Sequence, residues 1–222
     1  MSNIHGLVRP QLDEITLDPK RPLIISDADE VLFLFMEAFE RFLATRELWI
    51  DLSSFALAGN IKRLGTDEAI SADSTRALIP DFFAEATETM EPVPGAADAL
   101  AALSERAQVV VVSNVPVIQR DARIRALARH AMGYPVVANV GAKGGVVRHL
   151  ADRVTGPVFF LDDIPHNHSS VATHAADVRR IHFVADPRLA RLIPASEHSH
   201  HRIDDWPTAR LLIEETLSEA GF

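Results

Sequence analysis

Pro22-Leu23-Ile24-Ile25-Ser26-Asp27-Ala28-Asp29 decides how this chain is read. An apolar run, β-branched at Ile24 and Ile25, stops at two carboxylates two residues apart. The run fits a strand covered on both faces. The acids fall where such a strand emerges. Like charges that close resist joint ionisation unless a cation or a proton intervenes. Pairs of this kind serve chemistry more often than stability. Solvated acids in a strand-end turn are the plainer reading, and the rest of the chain has to decide between them.

Four further runs read as buried strands: Val109–Val112, Val136–Val140, Val158–Leu161 and Arg180–Val184. Helical patterns at Ala96–Leu103, Val117–Ala131, Val146–Val154 and Pro207–Leu217 separate or follow them. Strand and helix in alternation imply parallel pairing with right-handed crossovers. The expected class is α/β, a Rossmann-like doubly wound parallel sheet in three layers, with its ligand at the carboxyl ends of the strands. The interval from Asp29 to Ser113 is too long for one crossover. Within it, Glu37–Thr45, Ser54–Leu64 and Ser74–Thr89 read as helices, the last interrupted near Pro80, and no strong strand is visible. We therefore expect a small helical cap at residues 36–91, inserted after the first strand. Pro92–Gly95 would lead back to a core made of residues 1–35 and 92–222.

Composition bounds the function. The chain has 222 residues, a formal net charge of −9 and no cysteine. Disulfides, thiol nucleophiles and cysteine metal sites are excluded, and a reducing compartment fits. The acidic balance argues against a nucleic-acid backbone as partner. Met1–Lys20 lacks the apolar core of a signal peptide, and no apolar stretch reaches bilayer length. The expectation is a cytoplasmic protein with neither membrane nor nucleic acid as partner. Nothing in the sequence speaks to its oligomeric state.

Three later segments bear on the acid pair. Ser113-Asn114 ends the second strand, where a hydroxyl and an amide can donate to an anion. Turn chemistry alone also explains them. Lys143 lies in Gly141-Ala142-Lys143-Gly144-Gly145, ahead of a helical pattern whose start adds partial positive charge. The GxxxxGK[ST] spacing of a phosphate-binding P-loop is missing. Asp162-Asp163 ends Val158-Phe159-Phe160-Leu161, a second acidic strand end. Hard divalent cations take oxygen ligands, and Mg²⁺ commonly takes one or two carboxylates together with phosphate and water. Asn167 is placed to tie the following loop to these acids.

In that order the chain resembles the haloacid dehalogenase (HAD) superfamily. The matching segments are Asp27-Ala28-Asp29-Glu30-Val31-Leu32, Ser113-Asn114, Lys143, and Phe160-Leu161-Asp162-Asp163-Ile164-Pro165-His166-Asn167. The resemblance spans residues 22–217 and implies a sheet of order 5-4-1-2-3 with a C1-type cap. It implies a phosphoric monoester hydrolase acting on a small phosphorylated metabolite. Asp27 would be the nucleophile, and Asp29 would protonate the leaving oxygen and then activate water. Mg²⁺ would be held by Asp27, Asp162 and the backbone carbonyl of Asp29, with Asp163 nearby. Ser113, Asn114 and Lys143 would hold the phosphoryl oxygens.

The resemblance leaves alternatives. A phosphomutase or a haloacid dehalogenase belongs to the same superfamily, although members of the dehalogenase class typically lack the second aspartate. A phospho-accepting signalling module uses similar residues, but there the lysine comes last in the chain. Glu30 stands where the family often has a small residue. Arg41, Arg46, Lys62 and Arg63 of the cap are candidates to meet an anionic substrate. The segment His198-Ser199-His200-His201 is read as a polar loop ahead of a transition-metal site.

Overall fold

The computed structural model describes residues 4–222. In chain order its elements are α1 (Arg9–Asp13), β1 (Leu23–Ser26), α2 (Phe35–Ala44), β2 (Leu48–Ile50), β3 (Ile61–Arg63), α3 (Ala72–Ala86) and α4 (Ala96–Ser104). Then follow β4 (Gln108–Ser113), α5 (Arg120–Arg129), β5 (Val136–Ala138), α6 (Gly144–Ala151), β6 (Val158–Asp162), α7 (Pro165–His174), β7 (Arg179–His182), α8 (Pro187–Ala190), β8 (His201–Arg202) and α9 (Trp206–Glu219).

Six strands form one parallel sheet in the order β5-β4-β1-β6-β7-β8. Among the five expected strands this is the order 5-4-1-2-3 read from the other edge, with β8 added beyond β7. Strands β5, β4, β1 and β6 are largely apolar because both faces are covered, whereas β7 and β8 at the other edge carry Arg179, Arg180, His201 and Arg202. Successive side chains of a strand point to opposite faces. Ile24, Val109, Val111, Phe159 and Leu161 accordingly join one apolar layer with Leu100, Leu127, Trp206 and Ile213. Leu23, Ile25, Val110, Val112 and Phe160 join the other, with Leu12, Val147, Leu150 and Val171.

An open sheet leaves unpaired peptide groups at its edges. At β5 they are met by side chains. Gln11 accepts from the Ala138 N–H (2.7 Å) and donates to its carbonyl (3.3 Å), and Arg120 Nε donates to the Val136 carbonyl (2.9 Å). Residues 4–20, without a counterpart in the resemblance, thus help close an edge and bury Val8, Leu12 and Ile15.

The segment that follows the turn after β1 starts and ends side by side, with Phe33 bridging Pro92. Leu34 N–H donates to the Glu91 carbonyl (2.9 Å) and Val93 N–H to that of Leu32 (2.8 Å). The intervening segment differs from its sequence reading in two places. Ser54–Leu64 is not a helix. Trp49-Ile50 and Ile61, good strand formers, pair in an antiparallel hairpin, Ile50 opposite Ile61. The connecting loop turns at Gly59 (φ +85°), and Asn60 Nδ2 donates to the Ser54 and Ala56 carbonyls. The α3 helix also runs unbroken through Pro80, an exposed residue at which water can serve the carbonyl that the missing N–H leaves free. Phe35, Phe39, Phe42, Phe82 and Phe83 pack against one another and join the sheet layer that holds Ile24, with Phe39 and Phe82 edge to face at 5.1 Å. Arg188 ties this segment to the sheet. It donates to both Glu40 carboxylate oxygens (2.9 and 2.8 Å) while also pairing with Asp186.

Candidate active site

The acids at the ends of β1 and β6 meet across one lysine. Asp27 N–H donates to the Leu161 carbonyl (2.8 Å), which carries the strand register into the site. Asp27 Oδ1 accepts from the Ala28 N–H (2.6 Å). Lys143, wholly buried just ahead of α6, places Nζ 2.8 Å from Asp27 Oδ1 and 2.7 Å from Asp162 Oδ2. Asp163 is buried beside them. Asp27, Asp162 and Asp163 each offer a carboxylate oxygen, all within 4.8 Å of one another. Among the described residues this is the one group with metal-holding geometry.

Lys143 reaches its place because α6 packs closely on α7. A Cβ on Gly144 would lie 2.4 Å from the Ser170 carbonyl oxygen and 2.5 Å from Ser170 Oγ. No real side chain fits there, so the glycine next to the lysine is a packing requirement.

Three acids around one cation leave negative charge in excess. Burial pushes the Asp27 carboxyl up to about 6; Lys143 opposes the rise and the Asp162 charge adds to it. Burial, then the charges of Asp162 and Asp27, push Asp163 well above the usual carboxylate range. Burial acts against the Lys143 ammonium, but Asp162 and Asp27 outweigh it and hold it protonated. Oxygen-only donors carrying excess negative charge fit a hard divalent cation such as Mg²⁺.

A supporting layer fixes these acids. Asn167 Nδ2 donates to both Asp162 oxygens (3.0 and 3.2 Å), and the Ile164 N–H to Asp162 Oδ1 (2.9 Å). His182 Nδ1 accepts from the Ser196 N–H (3.0 Å), so its Nε2–H donates to the Asp163 carbonyl (2.9 Å). His168 Nε2 bonds the Asp162 carbonyl at 2.9 Å. Both rings are buried, and burial lowers each to about 4, so both are neutral at pH 7.

Asp29 faces another way. Its Oδ1 accepts from Arg123 Nη2 at 2.6 Å, and its Oδ2 lies 3.5 Å from Ser113 Oγ. Its carboxylate is outside the Asp27–Asp162–Asp163 trio. Burial raises its proton affinity and Arg123 opposes that rise. Arg123 is itself wholly buried, lies over the Phe33 ring and leaves Nε without a partner. Sequence reading missed it. The available signal was its place on α5 in the same helical stripe as buried Ala126 and Leu127. Ser113 Oγ accepts from the Val115 N–H (3.2 Å), while Asn114, at the surface, donates to the Gly141 carbonyl (3.1 Å).

Glu30 is buried. At φ +57° it turns the chain back, and its two carboxylate oxygens accept from the N–H groups of Met36 (2.6 Å) and Asp186 (3.0 Å). Burial pushes it up to about 7 despite those bonds. Glu30 therefore joins three segments around the site: the turn after β1, the start of α2 and the start of α8.

Above the acids lies a cavity of about 400 Å³. Asp27, Asp29, Lys143 and Asp163 form its polar floor, and the segment between β1 and β4 supplies much of the wall. Arg41, Arg46, Lys62 and Arg63 do not line it. Lys62 pairs with Asp51 (2.8 Å), Arg46 with Glu85, and Arg41 with Glu37 (3.9 Å). His198 and His200 serve Arg180: its Nε donates to the His198 carbonyl (2.6 Å) and its N–H to His200 Nδ1 (2.9 Å).

No protein-family model and no curated protein matches the sequence. Solved structures do share the fold. A HAD family hydrolase from Deinococcus radiodurans, with bound phosphate and sodium, superposes with a TM-score of 0.58 at 17% identity, over 90% of this chain and 97% of that one. A haloacid dehalogenase-like protein of unknown function from Agrobacterium tumefaciens gives 0.56 at 17% identity, over 87% and 97%. The HAD-hydrolase YfnB of Bacillus subtilis, bound to magnesium, gives 0.55 at 9% identity, over 88% and 99%. The fold is that of the HAD-superfamily hydrolases. Among the described residues no helix is long and apolar enough to cross a membrane.

Proposed function

We propose that the chain is a Mg²⁺-dependent phosphomonoesterase working through an aspartyl-phosphate. The observation that carries this reading is the Lys143 ammonium held between Asp27 and Asp162, with Asp163 beside them, on the floor of a cavity. The phosphate in one structural neighbour and the magnesium in another support it. In this reading residues 36–91 are the cap and residues 1–35 with 92–222 the core.

Asp27 attacks phosphorus through its carboxylate as the bond to the leaving oxygen breaks. Asp29 gives that oxygen a proton and later takes one from the water that hydrolyses the aspartyl-phosphate. Arg123 occupies Asp29 Oδ1, so the proton travels on Oδ2. Ser113, Asn114 and Lys143 hold the phosphoryl oxygens as charge builds on them. Asp27, Asp162, Asp163 and the Asp29 carbonyl would hold Mg²⁺. Bound there, the cation supplies charge neutralisation between the carboxylates and the phosphoryl group.

A panel of phosphomonoesters assayed with and without Mg²⁺ tests this. Turnover should require the metal and vanish in Asp27→Asn. Activity surviving that substitution, or none on any ester, would overturn it. No observation favours a phosphomutase: among the described residues lining the cavity Lys143 is the one lysine or arginine, and it is already shared by two carboxylates. The presence of Asp29 speaks against a dehalogenase.

A further inference from the structure

The cavity is polar at its floor and apolar above it. Phe35 of α2, Ile50 of β2, Phe55 and Leu57 of the hairpin loop, and Ile79 and Phe83 of α3 make the upper wall. Phe35, Phe55, Leu57 and Ile79 are half-buried and so keep carbon surface free for an occupant. From the whole 36–91 segment, Ser54 is the one polar side chain lining the space. The segment does contain cations, but Lys62, Arg46 and Arg41 are paired with neighbouring acids, as described above. Among the described residues lining the cavity no lysine, arginine or histidine other than Lys143 is present, so a second anion on the substrate would find no cationic partner.

We infer that the substrate is the phosphate monoester of an apolar alcohol, alkyl or aromatic, with no second anionic group. The inference rests on the phosphomonoesterase reading and specifies its substrate class. The phosphate is held by the floor, and the alcohol part lies along the carbon wall of the cap. A sugar of the same size would press unpaired hydroxyls against that wall, and burying a hydroxyl without a partner is unfavourable. A bisphosphate would need a second cationic subsite. The volume of about 400 Å³ lies within the common range for small-molecule sites, roughly 300–1,000 Å³.

Two measurements on the intact protein with Mg²⁺ test the class and the chemistry separately. Calorimetric titration with methyl-, butyl- and hexylphosphonate, which cannot be hydrolysed, should show affinity rising by up to about fourfold for each buried methylene. Hexylphosphonate should bind at least on the order of a hundredfold more tightly than methylphosphonate. In turnover assays hexyl phosphate should exceed glucose 6-phosphate in kcat/KM by at least about tenfold. A flat phosphonate series, or a preference for glucose 6-phosphate, overturns the apolar class and leaves the phosphatase intact. A steep phosphonate series with no ester turned over supports the apolar class and overturns the hydrolytic reading.

Discussion

Arg123, wholly buried, and Asp29, partly buried, form an ion pair, Nη2 to Oδ1 at 2.6 Å, between a helix on one face of the sheet and the turn that follows its central strand. The pair occupies one oxygen of the proposed proton carrier and leaves the other beside Ser113. Removing one partner of a fully buried pair costs about 3–5 kcal/mol, and the partial exposure of Asp29 makes that the upper bound here. Arg123→Met should therefore lower stability by up to that amount. It should also lower kcat far more for butyl phosphate, whose alkoxide needs a proton, than for p-nitrophenyl phosphate, whose leaving group does not. Equal losses on both esters would show that Arg123 serves folding alone.

Lys143→Met removes the cation shared by Asp27 and Asp162 and leaves three buried carboxylates together. Activity should fall by at least about a hundredfold, the scale seen when a preorganised charge-stabilising donor is lost. Added Mg²⁺ should raise the thermal midpoint of the variant more than that of the parent, because it then offsets more uncompensated charge. Differential scanning fluorimetry over a Mg²⁺ series reads this directly.

Gly144→Ala tests the packing that sets Lys143. The new Cβ would meet the Ser170 carbonyl at 2.4 Å and His174 Nδ1 at 2.7 Å, so α6 and α7 must move apart. Overpacking of this kind costs about 1–3 kcal/mol. Urea unfolding should show a lower midpoint at unchanged slope, together with reduced kcat. Gly141→Ala is a different case. Its Cβ would meet nothing within 4 Å, and only the positive φ of +83° opposes it.

The buried histidines give a pH signature. His182 sits at about 4 in the fold against an ordinary value of about 6.5. The unfolded chain therefore binds more protons between those values, and the stability due to neutral His182 is complete above pH 6.5. It is lost as pH falls through 6.5 towards 4, by on the order of 3 kcal/mol at most. The raised carboxyls titrate in the same window with the opposite sign, so the difference between parent and His182→Gln isolates the ring. The deficit of the variant should be largest near pH 7.5 and shrink towards pH 4.5 in urea titrations. A deficit independent of pH would mean the ring is not held neutral.

The sheet was legible in the sequence because most of its strands are short, apolar on both faces and separated by helical periodicity. Ile24 and Ile25 already imply two covered faces, and Asp27 and Asp162 already mark two strand ends. The hairpin at Leu48–Arg63 was not legible. Its strands are three residues each, and the loop between them carries enough Ala and Leu to imitate a helix. Arg123 was missed for a different reason. A basic residue on a helix is ordinarily solvated, and only its companions Ala126 and Leu127 reveal which face it occupies.

By itself the sequence determined the class of fold and the order of the acidic and basic segments. Those follow from periodicity and from charges set at strand ends, which are properties of neighbouring residues. Only the tertiary structure decided which charges pair. It set Lys143 between Asp27 and Asp162, turned Asp29 towards Arg123, buried Glu30 under two peptide N–H groups and lined the cavity above them with carbon. Partners in these contacts lie between 6 and 156 positions apart in the chain. Their pairing depends on strand order and helix packing, which no local pattern encodes.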